Sequence, residues 1–208
     1  MKGLLFAGLM SLALVSNVLA EPSSKVAWTK ETLQFVRNGN ADRGKELAQT
    51  CASCHTAASE YPHLDGQLAT YTYRQLQDYK NGNRKHAVMS GMTQGLSDQD
   101  MADLAAWYSK QTPMAGSGGV DDPTGVAFKG DSQRMEPPCS SCHGGDGQGE
   151  KVDTPRLAGQ NAAYLENTLL AYKAGARAND IYHRMRLIAE KLSDKEIKQL
   201  AEYYSTVK

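Results

Sequence analysis

All four cysteines of this chain fall in two copies of one pattern, Cys51-Ala52-Ser53-Cys54-His55 and Cys139-Ser140-Ser141-Cys142-His143. Two thiols with two residues between them can form thioethers with the two vinyl groups of one porphyrin. The adjacent histidine is then held beneath the ring, where its imidazole can ligate iron. C-x-x-C-H is therefore the attachment signature of c-type haem, and two copies imply two covalently bound haem c groups. Cys51, Cys54, Cys139 and Cys142 become the cofactor-binding residues, and His55 and His143 the proximal metal ligands. Three other chemistries compete. Structural disulfides explain an even cysteine count but not a histidine after each pair. A zinc site of two C-x-x-C pairs usually closes a loop of about 15–20 residues, whereas 84 residues lie between Cys54 and Cys139. A thioredoxin-like pair belongs beside a βαβ pattern, which the chain does not show.

The doubling extends beyond the cysteines. Gly66-Gln67 is echoed by Gly159-Gln160, Tyr71 by Tyr164 and Leu76 by Leu169. Tyr79-Lys80-x-Gly82-x-Arg84 recurs as Tyr172-Lys173-x-Gly175-x-Arg177, and Leu96-Ser97-Asp98 as Leu192-Ser193-Asp194. Leu104-Ala105-x-x-Tyr108 recurs as Leu200-Ala201-x-x-Tyr204. The offset grows from 88 at the haem motifs to 93 and then 96, so the second copy carries two small insertions. Two tandem domains, 21–112 and 124–208, account for the length. Residues 113–123, rich in Gly and Pro, cannot continue a helix and read as the linker.

The repeat also selects candidates for the second axial position. Met89 and Met185 each lie seven residues before the Leu-Ser pair and are the methionines at matching positions. A neutral thioether opposite histidine favours Fe(II) and raises the potential. Met92 sits nearby, but its partner is Ile188, so it reads as core packing. His86 and His183 are the competing ligands; their offset of 97 misses the local 96 by one. His63 aligns with Arg156 and reads as a surface or cofactor-rim residue. Pro62 and Pro155 are equivalent, and a backbone carbonyl there can either accept a hydrogen bond from the proximal imidazole or belong to a simple turn.

The elements that must position these residues read as helices. Ser97 with Asp100 and Ser193 with Glu196 are capping boxes. Behind them, Met101, Leu104, Ala105 and Tyr108 form an i, i+3, i+4, i+7 stripe, repeated by Ile197, Leu200, Ala201 and Tyr204. Gln67–Tyr79 and Gln160–Tyr172 form a second helical pair closed by Gly82 and Gly175. Asp42–Thr50 leads into the first haem motif, and its counterpart near Thr124–Lys129 is shorter. No alternating strand is evident, so the class is all-α. Units this small bury little apolar surface, which makes each porphyrin a large part of its own core and predicts poor folding of the apoprotein.

Of the 208 residues, 23 are basic and 23 acidic. A net charge of zero argues against a general nucleic-acid binder. Residues 21–115 carry ten charges of each sign and 116–208 carry twelve basic and thirteen acidic, so charge does not name a partner. Met1–Ala20 matches a secretory signal peptide, with Lys2, an apolar Gly3–Val15 run and a small-residue exit before Glu21. Its apolar core is short for a membrane span, and an uncleaved anchor is the alternative.

Together these features resemble the dihaem cytochromes c4, two class I cytochrome c domains in tandem, each wrapped round one covalent c-type haem. The most specific parts are the two C-x-x-C-H motifs, Pro155-Arg156-Leu157-Ala158-Gly159-Gln160, and Met89-Ser90-Gly91-Met92 leading to Leu96-Ser97-Asp98; Pro62-His63-Leu64-Asp65-Gly66-Gln67 is a looser copy. The resemblance implies a periplasmic protein whose haems face one another. It also implies electrons taken from a respiratory complex or dehydrogenase and passed to a terminal oxidase. One departure stands out: six residues separate His55 from Pro62, against eleven between His143 and Pro155. The shorter loop is expected to expose an edge of the first haem.

Two further functions share this chemistry. One is a dihaem subunit bound permanently to a dehydrogenase, resembling that of flavocytochrome c sulfide dehydrogenase. The other is an enzyme acting at an open or displaceable iron position. A carrier with two His/Met irons has no such position and needs no substrate pocket.

Overall fold

The computed structural model describes residues 23–118 and 121–208; Met1–Ala20, the expected signal peptide, lies outside the described residues. The described chain is helical, with two isolated antiparallel bridges, Asp131 to Glu136 and Glu150 to Thr154. The first unit contains α1 (Lys30–Arg37), α2 (Ala41–Cys51), α3 (Ala69–Lys80), α4 (Ala87–Gln94) and α5 (Asp98–Ser109). The second contains α6 (Val126–Lys129), α7 (Ser140–His143), α8 (Ala162–Lys173), a 3-10 turn (Ile181–His183), α9 (Arg184–Ala189) and α10 (Asp194–Thr206).

Both capping boxes form. Ser97 accepts from the Asp100 N–H while Asp100 accepts from the Ser97 N–H, and Ser193 and Glu196 do the same. Each box satisfies two of the otherwise orphaned amide donors at a helix start. The stripes behind them are buried without exception: Met101, Leu104, Ala105 and Tyr108 on α5, and Ile197, Leu200, Ala201 and Tyr204 on α10. α5 packs across α2 and α3. α10 packs on α8 and shares a core with Val126 and Ala127 of α6.

α3 and α8 start two residues later than the apolar pattern predicts. The side-chain oxygens of Gln67 and Gln160 accept from the next backbone N–H, of Leu68 (3.0 Å) and Asn161 (2.8 Å), which holds each glutamine in a turn ahead of the helix. Both helices end as expected, at Gly82 (φ +76°) and Gly175 (φ +68°), where a left-handed residue closes the last turn.

Helices α1, α4, α7 and α9 are additional to the sequence reading. They are short, of 8, 8, 4 and 6 residues, so few turns reveal their period. α1 is capped by Thr29 and brings Phe35 and Val36 against Tyr73 of α3. α4 corrects one expectation: its inward residue is Thr93, fully buried, while Met92, one helical step round, is 47% exposed and is not core packing.

The segment that follows α5 is held by the chain terminus and by two glycines. Gly116 and Gly118 donate to the carbonyls of Val207 (3.2 Å) and Thr206 (2.8 Å). Gly66 and Gly159, at φ +70° and +69°, donate to the last-turn carbonyls of Tyr108 (2.8 Å) and Tyr204 (3.0 Å). A Cβ on Gly66 would strike the Pro113 ring, and one on Gly159 the Met114 carbonyl. Gly159→Ala should therefore cost at least about 3 kcal/mol. Gly175→Ala, with nothing within 4 Å of its would-be Cβ, should cost only about 1 kcal/mol of left-handed strain. Denaturant unfolding of the two holoproteins checks the contrast; equal losses would contradict it.

Candidate functional site

Each C-x-x-C-H motif folds as a single helical turn. In the first unit the Cys54 and His55 amides donate to the Cys51 carbonyl at 3.1 and 3.0 Å. In the second, Cys142 and His143 donate to Cys139 at 3.2 and 2.9 Å. The middle serines tie down both turns, Ser53 to the Thr50 carbonyl (2.8 Å) and Ser141 to Pro138 (2.7 Å). Cysteine, cysteine and histidine thus stand at i, i+3 and i+4, one face of a helix. None of the four cysteines is paired in a disulfide. The preceding elements differ: α2 runs directly into Cys51, while Pro137-Pro138 leads into Cys139.

The imidazoles are held identically. His55 Nδ1 lies 2.9 Å from the Pro62 carbonyl and His143 Nδ1 2.9 Å from that of Pro155. A carbonyl only accepts, so Nδ1 carries the proton and Nε2 presents its lone pair, the form that ligates iron. The structure thus selects the carbonyl-acceptor role for Pro62 and Pro155 over a plain turn. Burial lowers the pKa of both imidazoles, against the opposing pull of the proline carbonyls, and favours the neutral ring. The loops that follow set their exposure. In the second unit the glycine-rich stretch folds back, Gly149 donating to the His143 carbonyl (2.8 Å) and Leu157 to that of Gly147 (2.8 Å), and His143 is only 7% exposed. The shorter first loop leaves His55 half-buried, with the exposed ring of Tyr61 centred 6.1 Å away.

Met89 and Met185 are both half-buried, on α4 and α9, helices that pack on α3 and α8 respectively. His86 caps α4: its Nδ1 accepts from the Met89 N–H at 3.3 Å, and its ring meets those of Tyr61 and Tyr79. With Nδ1 as acceptor, the neutral ring carries its proton on Nε2 and has no second lone pair for iron. His183 is 3.8 Å from Glu190 on the surface.

The two units meet through crossed copies of the repeated residues. Gln160 accepts from the His63 N–H (2.8 Å) and donates to the His63 carbonyl (2.9 Å). Reciprocally, Gln67 accepts from the Arg156 N–H (2.9 Å) and donates to the Arg156 carbonyl (3.1 Å). His63, expected on the surface or cofactor rim, is half-buried in this clamp. Arg84 reaches across to the Tyr164 hydroxyl (3.2 Å), and Arg177 returns to that of Tyr71 (3.0 Å). Each guanidinium also lies over its own unit's tyrosine, Arg84 on Tyr79 and Arg177 on Tyr172. An asymmetric ion-pair group completes the contact: Arg74 binds Asp78 (3.0 Å) and Asp153 (2.6 Å), and Asn179 donates to Asp78 (2.7 Å). The repeat singles out these glutamines, tyrosines and arginines without showing that each binds the other copy.

Comparison with known proteins gives the same pattern. The family model described as cytochrome c matches residues 41–111 and again 132–208. Cytochrome c4 of Azotobacter vinelandii is 36% identical over 184 residues, covering 79% of this chain and 88% of that protein. The crystal structure of reduced recombinant cytochrome c4 from Pseudomonas stutzeri superposes with a TM-score of 0.76 at 34% identity, over 82% of this chain and all of that one. The chain belongs to the cytochrome c4 family. It is a dihaem electron-transfer protein carrying two covalent haem c groups, and redox proteins are its partners. A thiosulfate dehydrogenase electron acceptor from Stutzerimonas stutzeri strain A1501 is also 36% identical, over 77% of this chain and 80% of that one.

The cytochrome's residues fit haem beyond its attachment motifs. The hydroxyls of Tyr108 and Tyr204 are buried without a hydrogen-bond partner, each against the first cysteine of its motif. At the interface, Arg177 is buried with Nη1 unpartnered, and among the described residues neither it nor Arg84 pairs with a carboxylate. Burial pushes the Tyr164 phenol up, yet Arg84 and Arg177 outweigh it and draw the group down to about 7. Such uncompensated positive charge suits the propionates of two haems, with Arg84 and Arg177 as the residues to hold them. A cation close by favours the electron-loaded state. Arg177→Gln should therefore lower the midpoint potentials by an amount worth roughly 1 kcal/mol, read by potentiometry; unchanged or raised potentials would refute it.

Proposed function

We propose that this cytochrome is a periplasmic carrier of single electrons, taking them from a respiratory complex or dehydrogenase and delivering them to a terminal oxidase. Residues 21–112 would hold one haem through Cys51 and Cys54, with His55 and Met89 on its iron. Residues 124–208 would hold the other through Cys139 and Cys142, with His143 and Met185, the two domains joined by 113–123. The observation that carries this is the repeated imidazole geometry: both rings offer Nε2 from a fixed orientation set by the Pro62 and Pro155 carbonyls.

When bound, haem supplies a one-electron Fe(III)/Fe(II) couple. The chain supplies the rest. The Nδ1–H to carbonyl bonds hold the imidazoles in one tautomer and raise their basicity. A thioether from Met89 and from Met185 would leave no open position for a substrate. The crossed Gln67 and Gln160 contacts fix one domain against the other, which keeps the reorganisation accompanying internal transfer small. The half-exposed His55 side, with Tyr61 at its edge, suits exchange with a partner, while the enclosed His143 is shielded from water.

Likeness to the thiosulfate dehydrogenase electron acceptor, and to 40% of the thiosulfate dehydrogenase structure from Marichromatium purpuratum (TM-score 0.73, 31% identity, 79% of this chain), supports a dehydrogenase as donor. A permanently bound dehydrogenase subunit is the other outcome to be tested. Purified protein should begin at Glu21, take up two electrons per chain and bind no carbon monoxide when reduced. It should be isolated free of a larger subunit and be reduced by a partner dehydrogenase at a rate proportional to that partner's concentration. Stoichiometric co-isolation with a dehydrogenase would establish the subunit role, and carbon monoxide binding by the native protein would point to an open iron.

A further inference from the structure

Glu136 is a buried carboxylate that electron carriage alone does not use. It is 3% exposed, and neither side-chain oxygen has a hydrogen-bond partner. Its loop is tied at both ends, the Glu136 N–H donating to the Asp131 carbonyl (2.8 Å) and the Asp131 N–H to that of Glu136 (2.9 Å). Pro137 and Pro138 alone separate it from Cys139, and each proline fixes its φ. The carboxylate is therefore held on a stiff spacer next to the attachment point of the second haem. The repeat offset of 88 places Ala48, a buried methyl on α2, at the equivalent point of the first unit. One haem site has a carboxylate where the other has none.

The charged groups facing Glu136 come from three elements. Arg134 and Asp131 share its loop, Lys191 follows α9, and Glu196 lies on α10. Arg134 approaches Glu136 only to 3.8 Å. Its hydrogen bonds go elsewhere: Nε to Asp131 (2.7 Å), Nη2 to Glu196 (2.7 Å), and Nη1 to Glu196 (3.1 Å) and the Lys191 carbonyl (2.8 Å). Lys191 Nζ donates to the Met135 carbonyl (3.0 Å). Three carboxylates thus share two cations, and Glu136 is the one left without a hydrogen bond. Burial raises its pKa, partly offset by Arg134, while Arg134 pulls Glu196 down to about 2. Glu136 is the member of the group whose burial favours the neutral acid.

We infer that Glu136 is a proton-uptake site coupled to reduction of the second haem. When that iron passes from Fe(III) to Fe(II) with one electron from the redox donor, the Glu136 carboxylate takes one proton from solvent and becomes the neutral acid. Oxidation releases both. The driving force is electrostatic: reduction removes a positive charge beside a poorly compensated negative one, raising its proton affinity. Proton entry is short, since Arg134, the group over Glu136, is 30% exposed. The inference rests on attachment of the second haem at Cys139.

The test is redox titration of the holoprotein and its Glu136→Gln variant from pH 4.5 to 9, with reduced-minus-oxidised infrared difference spectra. Because reduction takes up a proton, raising the pH opposes it. One of the two haems should lose up to about tenfold in its reduction equilibrium constant per pH unit across the titration window, and the haem beside Ala48 should lose much less. Glu136→Gln should flatten that dependence, agreeing with wild type at the acid end and reducing more readily at the alkaline end. A carboxylic-acid carbonyl band should appear on reduction of wild type and be missing from the variant. Equal pH dependence of both haems, a slope retained in Glu136→Gln, or no carboxyl band would overturn the inference. Peptide mass distinguishes the underlying assignment: a Cys139–His143 peptide without haem overturns both, whereas a haem-bearing peptide with a pH-independent potential overturns only the proton site.

Discussion

The structure depends on one helical turn, used twice. A turn places i, i+3 and i+4 on one face, so a cysteine, a second cysteine and a histidine can address one porphyrin only if the C-x-x-C-H backbone is helical. Both motifs meet this condition through amide bonds to the first cysteine's carbonyl. The turn alone leaves the imidazole free to rotate about its side-chain bonds. The carbonyls of Pro62 and Pro155 remove that freedom and fix which nitrogen bears the proton. The turns at Gly66-Gln67 and Gly159-Gln160, and the last turns of α5 and α10 that they bind, hold those proline segments in place.

The same Gly-Gln turn does a second job between domains. Gln67 and Gln160 each bond both the N–H and the carbonyl of a residue in the opposite unit, at equivalent positions. A side-chain amide matches a peptide group in having one donor and one acceptor side, so each contact saturates the backbone it touches. With the crossed Arg84–Tyr164 and Arg177–Tyr71 pairs, the interface is built from duplicated residues and is close to two-fold. Departures from that symmetry are where the domains acquire different properties. The short loop after His55, the enclosed His143, the Arg74–Asp78–Asp153 group across the interface and the buried Glu136 each lack a symmetric counterpart.

Much of this was legible in the sequence because it repeats. The haem motifs, capping boxes, buried stripes and terminating glycines all carry local patterns that one chain can display twice. What stayed hidden depended on partners distant in sequence. Gln67 and Arg84 are visible as repeated residues, but their partners in the other copy lie 89 and 80 residues away and leave no periodic trace. α4 and α9 leave no clear signal because one or two turns are too few to show an amphipathic period. The repeat aligns Met92 with Ile188 and so points it inward, whereas Thr93 takes the inward position on α4. Glu136 carries no signal in the sequence because a carboxylate in a loop is ordinarily a surface residue, whereas this one is buried.

The central claim, two equivalent irons each held between a pinned imidazole and a repeat-matched methionine, is tested most directly by one spectrum. The thioether-to-iron charge-transfer band of the fully oxidised holoprotein is quantified per haem. Intensity corresponding to two methionine-bound irons per chain is predicted. Intensity corresponding to one or none would contradict the account and return His86, His183 or an open coordination position to one of the two domains.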